Sequence, residues 1–398
     1  MAHADLIAMA RENHAYVASG TIQQTDDVCR VPAHLYFDRA RWDLEMKQVF
    51  RRVPLALALT CEMRNPGDYK AMDVAGVPVL ISRDSTGSVR AFVNMCSHRG
   101  AVLMPAGNGN AKRFTCPYHA WSYGQDGALI GVYAPKDFGD IDRSAYGLTE
   151  LRAVERAGII WVVLDPRSTI DFDAFLAGYD EVLGHFGFAD WHFFERRTVK
   201  GPNWKIAYDG YMDLYHLPIL HKNTFGPQMP NQAIYTAYGA HQRVSSPDPG
   251  LAALMDQPES SWPTARLMGG VWTIFPHISI ASFEGGGRSV MFSQLFPGDS
   301  PEESYTVQNY VMEHAPDAAQ IEAATAQFKL LEYVVESEDY ATGLAQQRAL
   351  KTGVREHVLF GRNEGGGQHF HRLLDELLVT PDDQLNDFFA RLAASTSR

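Results

Sequence analysis

Between Ala75 and Met95 the chain reads AGVPVLISRDSTGSVRAFVNM, with apolar Val77, Val79 and Ile81 at every second position and a polar break from Asp84 to Gly87. Period-two alternation interrupted by a Gly-containing turn predicts a β-hairpin. The segment SYGQDGALIGVY repeats that grammar around Asp126-Gly127, so the region beginning near residue 50 reads as a small all-β unit. It ends in GIIWVVLDP, where the unbroken apolar run from Ile159 to Leu164 predicts a buried strand and Asp165-Pro166 predicts a boundary near 166.

The texture differs on both sides. Upstream, residues 1–45 read as helical, and VPAHLYFDRARWDLEMKQVF places Leu44, Val49 and Phe50 on a helix face leading into the β unit. Downstream, helical FDAFLAGYDEVLGHF and WKIAYDGYMDLYHLP alternate with strand-like HFFERRTVKG, GGVWTIFPHISIASF and RSVMFSQLFPG, before a long helix from Asp317 to about Leu350. RVSSPDPG and DQPESSWP read as a long surface loop, and no internal repeat or low-complexity segment is present. The expected organisation is an N-terminal helical segment over 1–45, a β domain over 46–165 and a larger α+β domain over 166–398.

Charge narrows the function classes. Acidic residues outnumber basic ones, 47 to 35, and no Lys/Arg-rich run occurs, so neither nucleic acid nor an anionic membrane has electrostatic support as a partner. The N-terminus lacks a basic then apolar leader and no stretch reaches about 20 apolar residues, so the expected location is the cytoplasm. In that reducing compartment Cys29 and Cys61 are expected to be buried thiols rather than a disulfide.

The other two of the four cysteines are patterned. Cys96-Ser97-His98 and Cys116-Pro117-Tyr118-His119 are separated by seventeen residues, and loops of a β scaffold can close such a set on a metal. The donor types also suit structural zinc. The written motifs, CSHRG and CPYHAWSYG, resemble a Rieske centre, and Arg99-Gly100, Pro117-Tyr118 and Trp121 match that family's flanks, with Ala120 standing where glycine is more frequent. The resemblance implies a 2Fe-2S cluster in which Cys96 and Cys116 hold one iron and His98 and His119 the other.

A cluster that moves electrons calls for a second redox site. The candidate stretch is YDGYMDLYHLPILHKNTFG, with Asp209, Asp213, His216 and His221. Histidines five apart lie about 140° from one another on an ideal helix, so a shared metal requires a break, and Pro218 between them is expected to kink or end the helix. Two imidazoles with a distant carboxylate would make the facial triad of non-haem Fe(II) oxygenases.

Together, the two constellations resemble the catalytic alpha subunits of Rieske non-haem iron oxygenases, the aromatic-ring-hydroxylating family, along nearly the whole chain. The resemblance implies His216 and His221 as ligands of a mononuclear Fe(II) and Asp213 as an acid linking that site to a Rieske histidine of another subunit. In the helix QFKLLEYVVESEDYATGLAQQRALKTG, Glu332, Glu336, Glu338 and Asp339 all offer carboxylates; the family pattern points to Asp339 as third ligand, with Glu338 the alternative. It further implies an α+β fold, with an ISP-like Rieske domain followed by a catalytic domain whose antiparallel sheet is flanked by helices, in the START-like helix-grip manner. O2 is the implied co-substrate. Electrons would come from NAD(P)H through a separate flavin and iron-sulfur reductase, with or without a ferredoxin, since no Gly-rich dinucleotide fingerprint occurs here. A head-to-tail C3 homotrimer, with or without a beta subunit, is implied as well.

The substrate is expected to be hydrophobic, aromatic or polycyclic, in a pocket walled by Tyr208, Met212, Leu217, Trp272, Ile274, Phe275, Ile280 and Phe283. Demethylation or hydroxylation of an amine or steroid is the alternative on the same scaffold. From other classes, an electron-carrier Rieske protein and a zinc-stapled binding protein stand against both. His369 and His371 are spaced two apart on a helix and read as structural.

Overall fold

The computed structural model of the chain describes residues 2–396. The period-two segments form the expected hairpin, Val77–Arg83 with Val89–Val93, in a five-stranded antiparallel sheet completed by Asp68–Val74, Gly107–Asn110 and Glu150–Leu151. Ile159–Val162 is the middle strand of a second sheet, between Leu55–Leu59 and Ala153–Arg156, and every residue from Ile159 to Leu164 is buried. Coverage on both faces is why that run is uninterrupted rather than alternating. A third small sheet, Phe114–Thr115, Ser122–Tyr123 and Leu129–Gly131, supports the second Cys/His loop.

The larger domain is built on a seven-stranded antiparallel sheet. Its order is His192–Gly201, Ser304–Met312, Ser289–Pro297, Ile278–Phe283, Val271–Ile274, His241–Ser245, Ile234–Tyr238. Four of these strands are the expected ones. Asp317 caps the long helix through a reciprocal bond pair with Gln320. The helix runs Ala318–Tyr333, widens to π-helical spacing over Val334–Tyr340 and continues as Ala341–Leu350.

Three local readings need correction. Leu44 is exposed; the buried face near it is Trp42, Glu45, Met46, Val49 and Phe50, a three-and-four spacing that leaves Leu44 on the outer side. FDAFLAGYDEVLGHF is two short helices, Phe172–Leu176 and Tyr179–Leu183, broken where Ala177 and Gly178 adopt left-handed conformations. Cys29 and Cys61 are free thiols, but half-buried rather than buried.

Long-range ties position the site. Cys29–Pro32 pairs with His357–Phe360. Tyr36 donates its hydroxyl to Asp209 Oδ2 at 2.7 Å, and His371 Nε2 lies 2.9 Å from Asp209 Oδ1. Between the two large sheets, buried Glu62 meets Lys70 Nζ at 3.0 Å and the Arg196 guanidinium, and accepts the Leu59 amide.

Candidate active site

The two Cys/His loops are tight turns closed on themselves. Gly100 N donates to Cys96 O at 2.9 Å and Ala120 N to Cys116 O at 3.0 Å, with φ of 77° at Gly100 and 55° at Ala120. Both cysteines are buried, and the His98 and His119 rings stand 4.7 Å apart. Trp121 stacks on His98 with centroids 4.9 Å apart. Tyr123 accepts the Ser97 amide at 3.0 Å, which leaves its proton to donate to Cys96 Sγ at 3.2 Å. His98 Nδ1 is buried without a partner among the described residues, the condition of an atom reserved for something else.

A single tetrahedral ion would draw its donors to about 3.3–3.8 Å from one another. Among the described residues, only His216, His221 and Asp339 bring three ligand atoms within 4.8 Å of each other. The four Cys/His donors are more widely spread, which suits a two-iron cluster better than zinc.

The second constellation forms where the helix Trp204–Met212 stops. Asp213 takes an extended conformation, at φ −108° and ψ 117°, and a new short helix, Leu217–Leu220, starts four residues later. Pro218 therefore opens a helix, in the first turn where its missing N–H costs nothing, rather than breaking one. His216 and His221 flank that helix as its N-cap and C-cap, with ring centroids 5.2 Å apart.

Each ring is oriented by a carboxylate. His216 Nδ1 lies 3.0 Å from Asp213 Oδ2, and His221 Nδ1 lies 2.8 Å from Glu338 Oε2, which also accepts Thr224 Oγ1 at 3.1 Å. A carboxylate only accepts, so both Nδ1 atoms carry hydrogen and both Nε2 atoms offer lone pairs. Asp339 Oδ1 faces those lone pairs, 3.6 Å from His216 Nε2 and 3.3 Å from His221 Nε2. Three acceptors aimed at one point repel unless a cation joins them, and bonds of about 2.1 Å at right angles place ligand atoms about 3 Å apart. Burial alone would lower the pKa of His221, but Asp339 and Glu338 outweigh it and raise it.

The trio opens on a cavity of about 700 Å³. Leu214, Leu217, Leu220, Phe225, Leu331 and Val335 form much of its apolar wall, and Ser279, Ser293 and Gln308 lie on its sheet floor. Asp209 and Glu364 also line it, while no Lys or Arg does among the described residues.

Two family models match in tandem: the Rieske [2Fe-2S] domain over residues 54–142, and the ring hydroxylating alpha subunit (catalytic domain) over residues 188–380. The chain belongs to the Rieske oxygenase alpha subunits. Membership assigns it a Rieske 2Fe-2S cluster and a mononuclear non-haem iron.

Among relatives of this Rieske oxygenase subunit, the anthranilate 1,2-dioxygenase large subunit of Acinetobacter baylyi is 30% identical over 221 residues, 54% of this chain and 47% of that one. The carnitine monooxygenase oxygenase subunit of Escherichia coli is 32% identical over 189 residues, 47% of this chain and 50% of that one. The chain thus spans about half the length of the curated relatives it matches. Similar folds occur in the quaternary ammonium Rieske monooxygenase CntA with L-carnitine, at TM-score 0.74 and 21% identity, covering 88% of this chain and 96% of that one. The naphthalene 1,2-dioxygenase of Rhodococcus sp. bound to indole gives TM-score 0.73 at 19% identity, covering 88% and 95%.

Against the expected pocket of this alpha subunit, Leu217 and Phe283 do line the cavity. Tyr208, Met212, Trp272, Ile274, Phe275 and Ile280 do not; all six are core residues exposed by 2% or less. On the strands the reason is the pleat: Val271, Ser279 and Ala281 face the cavity, so Trp272, Ile274 and Ile280 face the opposite side. Glu332 is half exposed and distant from the trio's contacts, reaching only toward Arg197. His369 bonds Gly239 O and His371 joins Asp209. Ser279, Ser293 and Gln308 were not legible as cavity residues, since period two does not say which face is open.

Proposed function

We propose that this chain is the cytoplasmic terminal oxygenase of a multicomponent system, inserting oxygen from O2 into a hydrophobic, aromatic or polycyclic substrate. Electrons come from NAD(P)H through a flavin and iron-sulfur reductase, directly or by way of a ferredoxin. The observation that carries this reading is the meeting of His216, His221 and Asp339 at the wall of the cavity, in a chain that also bears the paired Cys/His loops.

In this reading Cys96, His98, Cys116 and His119 hold the cluster, and His216, His221 and Asp339 hold Fe(II). The bound groups supply single electrons and the activation of O2. The chain's own residues do the rest: Asp213 and Glu338 fix the ring tautomers, and Leu217, Leu220 and Phe225 exclude water around the reacting carbon. Asp213 also accepts a hydrogen bond from His119 or His98 of a neighbouring copy in a head-to-tail homotrimer. Exposed Tyr118 beside His119, and exposed Tyr215 and Ile219 beside Asp213, supply apolar surface for that junction.

A second reading, oxidative demethylation of an amine, is favoured by Asp209 and Glu364 on the cavity wall. It is weakened by the fact that Asp209 is already engaged by Tyr36 and His371. The deciding experiment measures iron, acid-labile sulfide and zinc per chain, then NADH and O2 consumption with a reductase and product analysis under labelled O2. About three irons and two sulfides, with label in the product, are expected; two irons without O2 uptake would make the chain a carrier, and zinc alone would remove both.

A further inference from the structure

One row of residues crosses the catalytic sheet at a single level and is polar throughout. Thr273 opposes Ser279, Ser279 opposes Ser293, Ser293 opposes Gln308, and Gln308 opposes Arg197. Directly opposed residues of antiparallel strands point to the same face, and that face is the cavity floor for Ser279, Ser293 and Gln308. All three are more than nine-tenths buried, at 7%, 6% and 2% exposure. A hydrophobic cavity floor with three adjacent polar side chains is costly unless something uses them.

The row has a direction. Arg197 Nε donates to Gln308 Oε1 at 2.7 Å. A guanidinium has only donors, so the amide oxygen must face it and the amide NH2 must turn away from it. Arg197 is itself held over the Phe328 ring, at 3.8 Å, and burial lowers its pKa only to about 10, so it stays cationic at neutral pH and polarises the amide. Among the described residues, neither the Gln308 NH2 nor the hydroxyls of Ser279 and Ser293 have a hydrogen-bond partner. No lysine or arginine among the described residues lines the cavity, and Arg197 acts on it only through the Gln308 amide, so a carboxylate there has no direct cationic partner.

The strip is also connected to the helix that carries Asp339. Gln308 lies two residues along its strand from Thr306, whose hydroxyl is 2.5 Å from that of Tyr340, the residue following Asp339. Two strand residues span about 7 Å, roughly the length of a two-ring aromatic.

We propose that Gln308, Ser279 and Ser293 form a donor strip that binds a neutral acceptor oxygen of the substrate, so that the substrate is a hydrophobic cyclic ketone rather than a hydrocarbon, a carboxylate or an ammonium compound. The assignment rests on the cavity being the oxygenase's substrate site. It specifies the end of the substrate away from the metal.

The test is calorimetric binding to the metal-loaded protein, using matched pairs: 1-indanone with indane, and 9-fluorenone with fluorene, together with fluorene-9-carboxylate and a benzyltrimethylammonium salt. Each ketone is expected to bind about tenfold or more tightly than its hydrocarbon, and more tightly than either ion. Gln308→Glu keeps an acceptor for Arg197 but puts an oxygen where the NH2 pointed, and should erase the preference. Ser279→Ala with Ser293→Ala removes hydroxyls that bond none of the described residues, and should reduce the preference in a protein of unchanged melting temperature. Equal or tighter binding of the hydrocarbons, tighter binding of either ion, no binding of any ketone, or a preference that survives Gln308→Glu would overturn the proposal. O2 consumption is read in parallel: ketone-selective binding without O2 uptake would refute the oxygenase reading while leaving the strip in place.

Discussion

Glu338 and Asp339 are neighbours in sequence, yet they reach opposite nitrogens of the same ring, Glu338 at His221 Nδ1 and Asp339 at His221 Nε2. Composition alone could not separate them, because both are carboxylates on one helix; the distinction lies in which nitrogen each can reach. Asp339→Ala should therefore lose the mononuclear iron and keep the cluster, seen as a drop from about three irons per chain to about two with unchanged visible absorption. Glu338→Gln should retain metal with affinity weakened about 10–100-fold, measured by chelator competition. Asp213→Ala should keep the cluster, hold the mononuclear iron more weakly as Glu338→Gln does, and abolish coupled turnover even when fully iron-loaded; normal turnover would remove its place in the electron path. Ala120 carries a different message. Its φ of 55° is glycine's territory, so Ala120→Gly should raise stability by about 0.5–1 kcal/mol, read as a higher melting temperature.

Elements decide what residues can meet. The histidine pair could be found in the sequence, and so could the need for a break between them, but not where the break falls. Pro218 was the visible signal, whereas the helix ends at Met212, where Asp213 turns to bond His216. The pocket wall failed for a related reason: large apolar side chains at 272, 274 and 280 advertise burial, and the pleat sends them to the closed side. The small side chains opposite them make the open side, and smallness is not a signal that periodicity reports. The π-helical stretch Val334–Tyr340 was equally invisible, since its residues are ordinary helix formers. It carries both site carboxylates.

At the scale of the whole molecule, Glu62 joins the two domains through Lys70 on one side and Arg196 on the other. Burial pushes its carboxyl pKa up, but Lys70 and Arg196 outweigh burial and hold it below its ordinary 4.5. A depressed acid contributes stability that is complete above its unfolded value and disappears as pH falls through the folded one. Unfolding followed on acidification should thus show a loss beginning near pH 4.5, and Glu62→Gln should flatten it. The same variant should destabilise the protein at neutral pH by about 3 kcal/mol, because Lys70 is left buried without its partner.

The bond of Asp209 to Tyr36 and His371 also sets a timetable. The cluster loops are complete once the ribosome has released residues Cys96 to His119 and the strands around them. The helix before Asp213 is anchored by one residue made early and another made near the end, so its geometry depends on contacts that reach 173 residues back and 162 residues forward along the chain. Staged metal insertion is the expected consequence: the paired Cys/His loops would be ready during synthesis, and the proposed mononuclear site receptive only after His371 has emerged and docked.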